Sequence, residues 1–211
     1  MTTAAHALSK NATGGLKAGF AEPVADSQEV FRSAMNAFGY AGRPFEIGQQ
    51  LDGPTPFNTA TSAFSLALMD FETSVWLQTQ SDEAASWLRF HCGLPTVEDK
   101  TAATFAIITD PQSMPSLTAF HAGEIEYPEC STTLVIQVPS LVEGPKTTWA
   151  GPGINGSIEV AIAGLPSWFW SLWDLNRELY PRGIDAVFTC GNAMIALPRT
   201  VHVEFEDGSV A

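Results

Sequence analysis

"GIDAVFTCGNAMIALPRTVHVE", residues 183–204, stands almost at the end of a chain of 211 residues, and its reading decides the fold. Gly191-Asn192 offers a two-residue turn between two apolar runs, a strong hairpin signal. In that register Cys190 pairs with Ala193 and Ala186 with Leu197, and Asp185 lies opposite Pro198. Hydrogen-bonded pairs alternate outward from the turn, so Pro198 falls where its missing N–H removes no hairpin bond. That N–H position faces the other neighbour, which places this end of the strand at a sheet edge or a bulge. Before Pro198 both faces of the strand are apolar, as a central strand requires. After it the pattern alternates: Val201, Val203 and Phe205 on one face, Thr200, His202 and Glu204 on the other. Asp185 shares the second face, so the hairpin is expected to run from the core onto a polar ledge of Asp185, Thr200 and His202. Arg199 stands at the junction. A pairing of Arg199 with Asp185 would need a bulge at Pro198.

Working outward, the rest of the chain alternates between strand and helix patterns. "ADSQEVFRSAMNAFGY" reads as a helix with Asp26 and Glu29 at capping-box spacing and an apolar stripe of Phe31, Met35 and Phe38. "GRPFEIG" and "TSVWLQT" read as strands. "FNTATSAFSLALMDF" has Asn58 as N-cap and is small or apolar nearly all round, which predicts a buried helix. "SDEAASWLRFHCGLP" has Ser81 as N-cap, two acids in its first turn, and Gly93 then Pro95 beyond its end. "TAATFAIITD", "STTLVIQV", "KTTWAGPGI" and "GSIEVAIAG" are strands, and "PSLTAFHAG" a short helix. "LPSWFWSLWDLNRELYPRG" is a helix with Pro166 near its first turn. The sum is an α/β fold, a mixed sheet with helices on its faces and a C-terminal antiparallel hairpin. Residues 1–22, rich in Ala, Thr and Gly, are expected to be a mobile tail. Residues 23–206 then form one domain, and 207–211 a C-terminal tail.

Composition narrows the function classes. The 45% of hydrophobic residues, with 6 Trp and 13 Phe, supply a sizeable core. No run approaches the ~18 apolar residues of a membrane helix, and the N-terminal stretch lacks a signal peptide's charged start and apolar block. The 3 cysteines, odd in number and widely spaced, fit reduced thiols, so a cytoplasmic location is expected. A net charge of −13 argues against nucleic acid and anionic membranes as partners, since both need a basic footprint. A small anion would have to be held locally by a few arginines or helix N-termini.

Several motifs dissolve on inspection. "GPGING" formally matches GxGxxG through Gly151, Gly153 and Gly156, yet a strand-like "SIEVAIAG" follows where a helix should open, so a plain loop is favoured. None of the 4 lysines suits a desolvated Schiff base, and no pyridoxal phosphate or other cofactor is expected. There is no CxxC and no HExxH, so no metal is expected either. Each cysteine reads as a small buried hydrophobe rather than a nucleophile. Ala84, Trp87, Leu88 and His91 form a helical stripe, which turns His91 inward at the helix C-terminus, where the dipole favours it. Arg89 lies off that stripe. For both residues the structural reading is favoured. In the functional reading, Arg89 and Arg199 hold a phosphate or phosphonate group.

The closing segment, extended to "YPRGIDAVFTCGNAMIALPRTVHVE", resembles the ending of the PhnH family, a subunit of the bacterial carbon–phosphorus lyase system. "FRSAMNAFGYAGRP", "VWLQT", "LRFHCG", "ATFAIITD", "TLVIQVPSL" and "WAGPGI" match the same family in order, from residue 31 to 204. The resemblance implies a multi-subunit complex that links an alkylphosphonate to C1′ of the ribose of ATP and expels adenine. It assigns the glycosidic chemistry to a different subunit, PhnI, and makes other subunits such as PhnG partners. It also implies a fold like that of pyridoxal-phosphate-dependent transferases without the cofactor, and self-association. A homodimer when alone is expected also because "WFW" at 168–170 cannot all face inward from a helix. The alternatives are a stand-alone nucleotide- or phosphate-binding α/β enzyme and a purely structural spacer. Arg89, His91, Asp185, Arg199, Thr200 and His202 are the candidate ligand- or partner-binding residues.

Overall fold

The Gly191-Asn192 turn folds the chain back in the expected register. In the computed structural model, which describes residues 16–48 and 50–205, β7 (Asp185–Cys190) and β8 (Ala193–Leu197) pair antiparallel, with Cys190 opposite Ala193 and Ala186 opposite Leu197. They belong to a mixed six-stranded sheet with β1 (Phe45–Glu46), β2 (Val75–Leu77), β3 (Phe105–Ile108) and β4 (Thr133–Gln137). The spatial order is β1-β8-β7-β4-β3-β2. Strands β2, β3, β4 and β7 run parallel, and β8 and β1 antiparallel.

Both faces of this sheet are buried, and period two decides which side chain goes where. Ile108, Leu134, Ile136, Ala186, Phe188, Ile195 and Leu197 face one cluster. Ile107, Val135, Val187, Met194 and Ala196 face the other. The second cluster is closed by α1 (Pro23–Gly39), α2 (Thr59–Leu68) and α3 (Asp82–Cys92). The first is closed by α4 (Phe169–Glu178) and a small antiparallel sheet. That sheet holds β5 (Lys146–Ala150), β6 (Ile158–Ala161) and β9 (His202–Phe205), in the order β6-β5-β9. Helix α2 is buried from Ala60 through Ser65, as its composition predicts, and Asn58 caps it by accepting from Thr61 N–H at 2.8 Å.

Four expectations are corrected. First, the chain beyond Pro198 does not continue β8. It makes a turn closed by Val201 N–H to the Pro198 carbonyl, 2.9 Å, and enters the second sheet as β9 with His202 opposite Ala150. Alternation identifies a strand but not its sheet. Second, α1 starts at Pro23, with proline in the first turn and the Asp26 carboxylate accepting from Glu22 N–H at 2.9 Å. Its buried stripe is Val30, Ala34 and Ala37, while Phe31 and Met35 are exposed and Phe38 is half-buried. Small side chains let the helix approach its neighbours closely, and the bulkier stripe beside them turns out. Third, "PSLTAFHAG" contributes only a 3₁₀ turn at Leu117–Ala119. Fourth, Trp168 precedes α4 rather than lying in it. Phe169 and Trp170 are buried and Trp168 packs half-buried on the same core, so no aromatic of the trio is forced outward.

Of the expected tail, residues 1–15 lie outside the described residues, as do 207–211. Residues 17–19 lie against α3, with the Lys17 carbonyl accepting from Trp87 Nε1 at 3.0 Å. Among the described residues no helix is long and apolar enough to cross a membrane.

Candidate functional site

Asp185 opens β7, and Arg199 sits in the turn that carries the chain off β8. The turn does the work expected of a bulge, swinging Arg199 onto Asp185. Arg199 N–H donates to Asp185 Oδ1 at 2.7 Å and its Nε to the same oxygen at 3.2 Å, while Nη2 reaches Oδ2. The remaining donors go to the Pro128 carbonyl at 2.8 Å, Ser131 Oγ at 2.6 Å and the Pro181 carbonyl at 3.4 Å. With side chains only 14% and 18% exposed, the pair is a clamp. It ties the start of β7 to the 3₁₀ turn Pro128–Cys130 before β4 and to the loop after α4. The planar fork of arginine is what permits so many partners at once.

Thr200 is half-buried in the same turn, its carbonyl close over Gly151, and His202 belongs to a different group. From β9 the His202 ring lies between Asp174 of α4, Oδ1 3.8 Å from Nδ1, and Glu204, Oε1 3.7 Å from Nε2. Both separations exceed hydrogen-bond length. Among the described residues the buried side-chain polar atoms without a partner are Asp174 Oδ1, His202 Nδ1 and Arg177 Nε, all on α4 or β9. Trp173 Nε1 donates to the Val201 carbonyl at 3.2 Å and fixes the two elements together.

A third group lies on α3. Ser81 accepts from Ala84 N–H at 3.2 Å, and Gly93 ends the helix at φ 69°, a left-handed turn suited to glycine. His91 faces inward as expected: its ring packs on Trp87 at a tilt of 57°, centroids 4.9 Å apart, and Nε2 meets the Lys17 carbonyl at 3.0 Å. Arg89 is exposed off the buried stripe of Ala84, Trp87 and Leu88. The six candidates thus fall into three places, and only Asp185 and Arg199 bond to each other.

The carboxyl ends of the parallel strands, where open α/β sheets hold ligands, are occupied by side chains already committed to one another. Gln137 Oε1 accepts from Asn58 N–H, its Nε2 donates to the Pro56 carbonyl at 3.0 Å, and Thr189 Oγ1 meets Asn58 Nδ2 at 3.2 Å and Thr61 Oγ1 at 2.8 Å. Sequence reasoning missed Asn58 in this second role, Gln137 and Thr189, and also Ser131, Asp174 and Arg177. Single polar residues in apolar elements were the available signal.

Burial, with the Asp70 charge adding to it, pushes the Cys92 thiol up to about 12, whereas Cys130, expected to be buried, is exposed because it ends a surface 3₁₀ turn. The thiolate is the nucleophile, and at pH 8 Cys92 holds about one part in ten thousand of it. Iodoacetamide at pH 8 is therefore expected to label Cys130 readily and Cys92 only after denaturation. Peptide mass mapping reads the outcome, and rapid native labelling of Cys92 would contradict the burial. Cys190 donates to the Pro139 carbonyl at 3.3 Å. No cluster of three or more metal-ligating side chains occurs among the described residues. "GPGING" is the loop between β5 and β6, followed by a strand.

The family of bacterial phosphonate metabolism proteins described as PhnH matches residues 18–204. The alpha-D-ribose 1-methylphosphonate 5-triphosphate synthase subunit PhnH of Rhizobium meliloti (strain 1021) is 39% identical over 189 residues, 89% of this chain and 94% of that protein. HtxG of Stutzerimonas stutzeri is 30% identical over 183 residues, 85% and 86% of the two chains. A mixed α/β chain matched over nearly its whole length in this way is a protein of bacterial phosphonate metabolism. It belongs to the PhnH family.

Proposed function

We propose that this chain is the PhnH-type subunit of an assembly that couples an alkylphosphonate to the ribose C1′ of ATP with release of adenine. In this reading it is not the subunit that performs the bond chemistry. The observation that carries the role is the near full-length similarity to a relative named as a synthase subunit. The internal bonding of the candidate residues supports the non-catalytic part. Arg199 and Asp185 satisfy each other and their surroundings, His91 is bonded to the backbone, and the strand ends are closed by Gln137, Asn58 and Thr189. The described lysines, Lys17, Lys100 and Lys146, lie against Asp52, Trp76 and Glu159 respectively, in keeping with a transferase-like fold used without a Schiff base.

PhnI and PhnG are the partners this role calls for, with a homodimer when the chain is alone. The half-exposed His202, flanked by Asp174 and Glu204, and the exposed Arg89 are the parts of the candidate set free to meet another subunit. Co-expression with the other carbon–phosphorus lyase subunits is expected to give a stable complex that releases adenine from ATP and methylphosphonate. The isolated chain is expected to release none. Adenine release by the chain alone would overturn the reading in favour of a stand-alone enzyme. His202→Gln is expected to weaken co-purification while leaving the melting temperature nearly unchanged, since surface changes alter stability by only about 0.5 kcal/mol.

A further inference from the structure

Where α1 ends, the chain turns through Ala41 and Gly42 and meets the glycine-rich loop that fails as a dinucleotide fingerprint. Between them lies a cavity of about 220 Å³, lined by Ala41, Arg43, Gly153, Ile154, Asn155 and Ser157 among others. Gly153 has a packing reason to be glycine. Its φ is 82°, and a Cβ there would lie 2.0 Å from the Gly39 carbonyl oxygen. That glycine argues nothing about a ligand.

Arg43 does. Its guanidinium lies over the Tyr40 ring, 5.5 Å from the centroid, and no other interaction engages it among the described residues. A cation–π contact uses the flat face of the guanidinium and leaves its in-plane N–H fork unengaged. The loop opposite has donors to match. Ile154 N–H is taken by the Gly151 carbonyl at 3.1 Å, while the N–H groups of Gly153 and Asn155 and the Asn155 amide have no protein acceptor among the described residues. Successive backbone N–H groups in such turns form anion-holding concavities.

We propose that this cavity is a subsite for a tetrahedral phosphorus oxyanion, a phosphonate or a terminal phosphate. Arg43 grips it bidentately, and the loop N–H groups, the Asn155 amide and the Ser157 hydroxyl close around it. Sites for drug-sized ligands occupy about 300–1,000 Å³, so this one takes a headgroup and leaves the rest of a larger molecule outside. The end of α1 favours a nearby cation on its own account, and that role needs no anion. A titration separates the two.

The isolated full-length protein is titrated calorimetrically with methylphosphonate and with tripolyphosphate, with sulfate as reference. Saturable binding of a phosphorus probe is expected. The tighter of the two identifies the group, phosphonate or nucleotide phosphate. Arg43→Gln is expected to weaken it about tenfold or more, the scale of a lost charged hydrogen bond. Asn155→Ala should weaken it less, and Arg32→Gln, at an exposed arginine earlier on α1, should leave it unchanged. Should Arg43→Gln melt early, Arg43→Lys carries the same test through the lost fork. The proposal is overturned if neither probe binds, if binding survives both Arg43 variants, or if sulfate binds equally well. Because no partner subunit is present, failure here leaves the role in the assembly standing.

Discussion

Arg199→Ala is expected to lower the stability of the chain by about 3 kcal/mol, the lower end for breaking a buried ion pair. The lower end applies because both side chains keep some solvent contact. For a domain of this size that corresponds to a fall in Tm of roughly 6–12 °C. The cause is what the substitution leaves behind: the Asp185 carboxylate loses its cation, and Ser131 Oγ and the Pro128 carbonyl lose a donor. Arg199→Lys keeps the charge but has three donors on one nitrogen, and is expected to cost about 1–3 kcal/mol. A thermal melt of both variants beside growth on methylphosphonate decides what Arg199 is for. Lowered melting with growth retained at low temperature identifies a clamp. Normal melting of the lysine variant with growth lost would instead make Arg199 a ligand residue.

Phe169→Ala is expected to be more damaging, by about 3–5 kcal/mol, the range for emptying an aromatic site in a packed core. Phe169 has no solvent exposure. It lies stacked with Trp173 at 6.3 Å and edge-on to Trp170 and Phe188 at 5.0 and 5.7 Å. It therefore joins α4 to the central strand β7. Urea denaturation should show a lower midpoint with an unchanged slope, since the surface exposed on unfolding stays nearly the same. A loss under about 1 kcal/mol would mean that α4 packs on the sheet less closely than described. Trp168→Ala, at the rim of the same cluster, should cost much less.

The parts of the fold legible in sequence were those fixed by local chemistry. The Gly-Asn turn set the β7–β8 register, Asn58 and Ser81 marked two helix starts, and Gly93 marked a helix end. The apolar run before Pro198 marked β8 as an interior strand, and it lies between β1 and β7. What sequence left open depended on partners far along the chain. Two adjacent stripes of α1 are apolar, and hydrophobicity favours Phe31 and Met35, whereas the tight approach of neighbouring elements selects Val30, Ala34 and Ala37. Residues 202–205 alternate correctly, yet nothing local says that their neighbour is β5. For the same reason the ledge of Asp185, Thr200 and His202 came apart. A proline removes a donor and ends β8, and only the folded turn shows that Arg199 goes one way and His202 the other. Asp174 and Arg177 were invisible, because charges on the outer side of a helix are ordinary until a strand is laid beside them.

The placement of β7 and β8 between β4 and β1 has a consequence for how the protein is made. Phe45, in the first strand to be synthesised, pairs with Met194, and β4 receives its neighbour only with Asp185–Cys190. While the ribosome is still delivering the middle of the chain, β2, β3 and β4 can assemble, but the apolar edge of β4 stands open. Such an edge pairs readily with other chains. The strands that seal both sheets, between Asp185 and Phe205, are made long after the strands they cover. Closure of both sheets therefore waits on residues 185–205, and a nascent chain stalled before residue 185 leaves the β4 edge open.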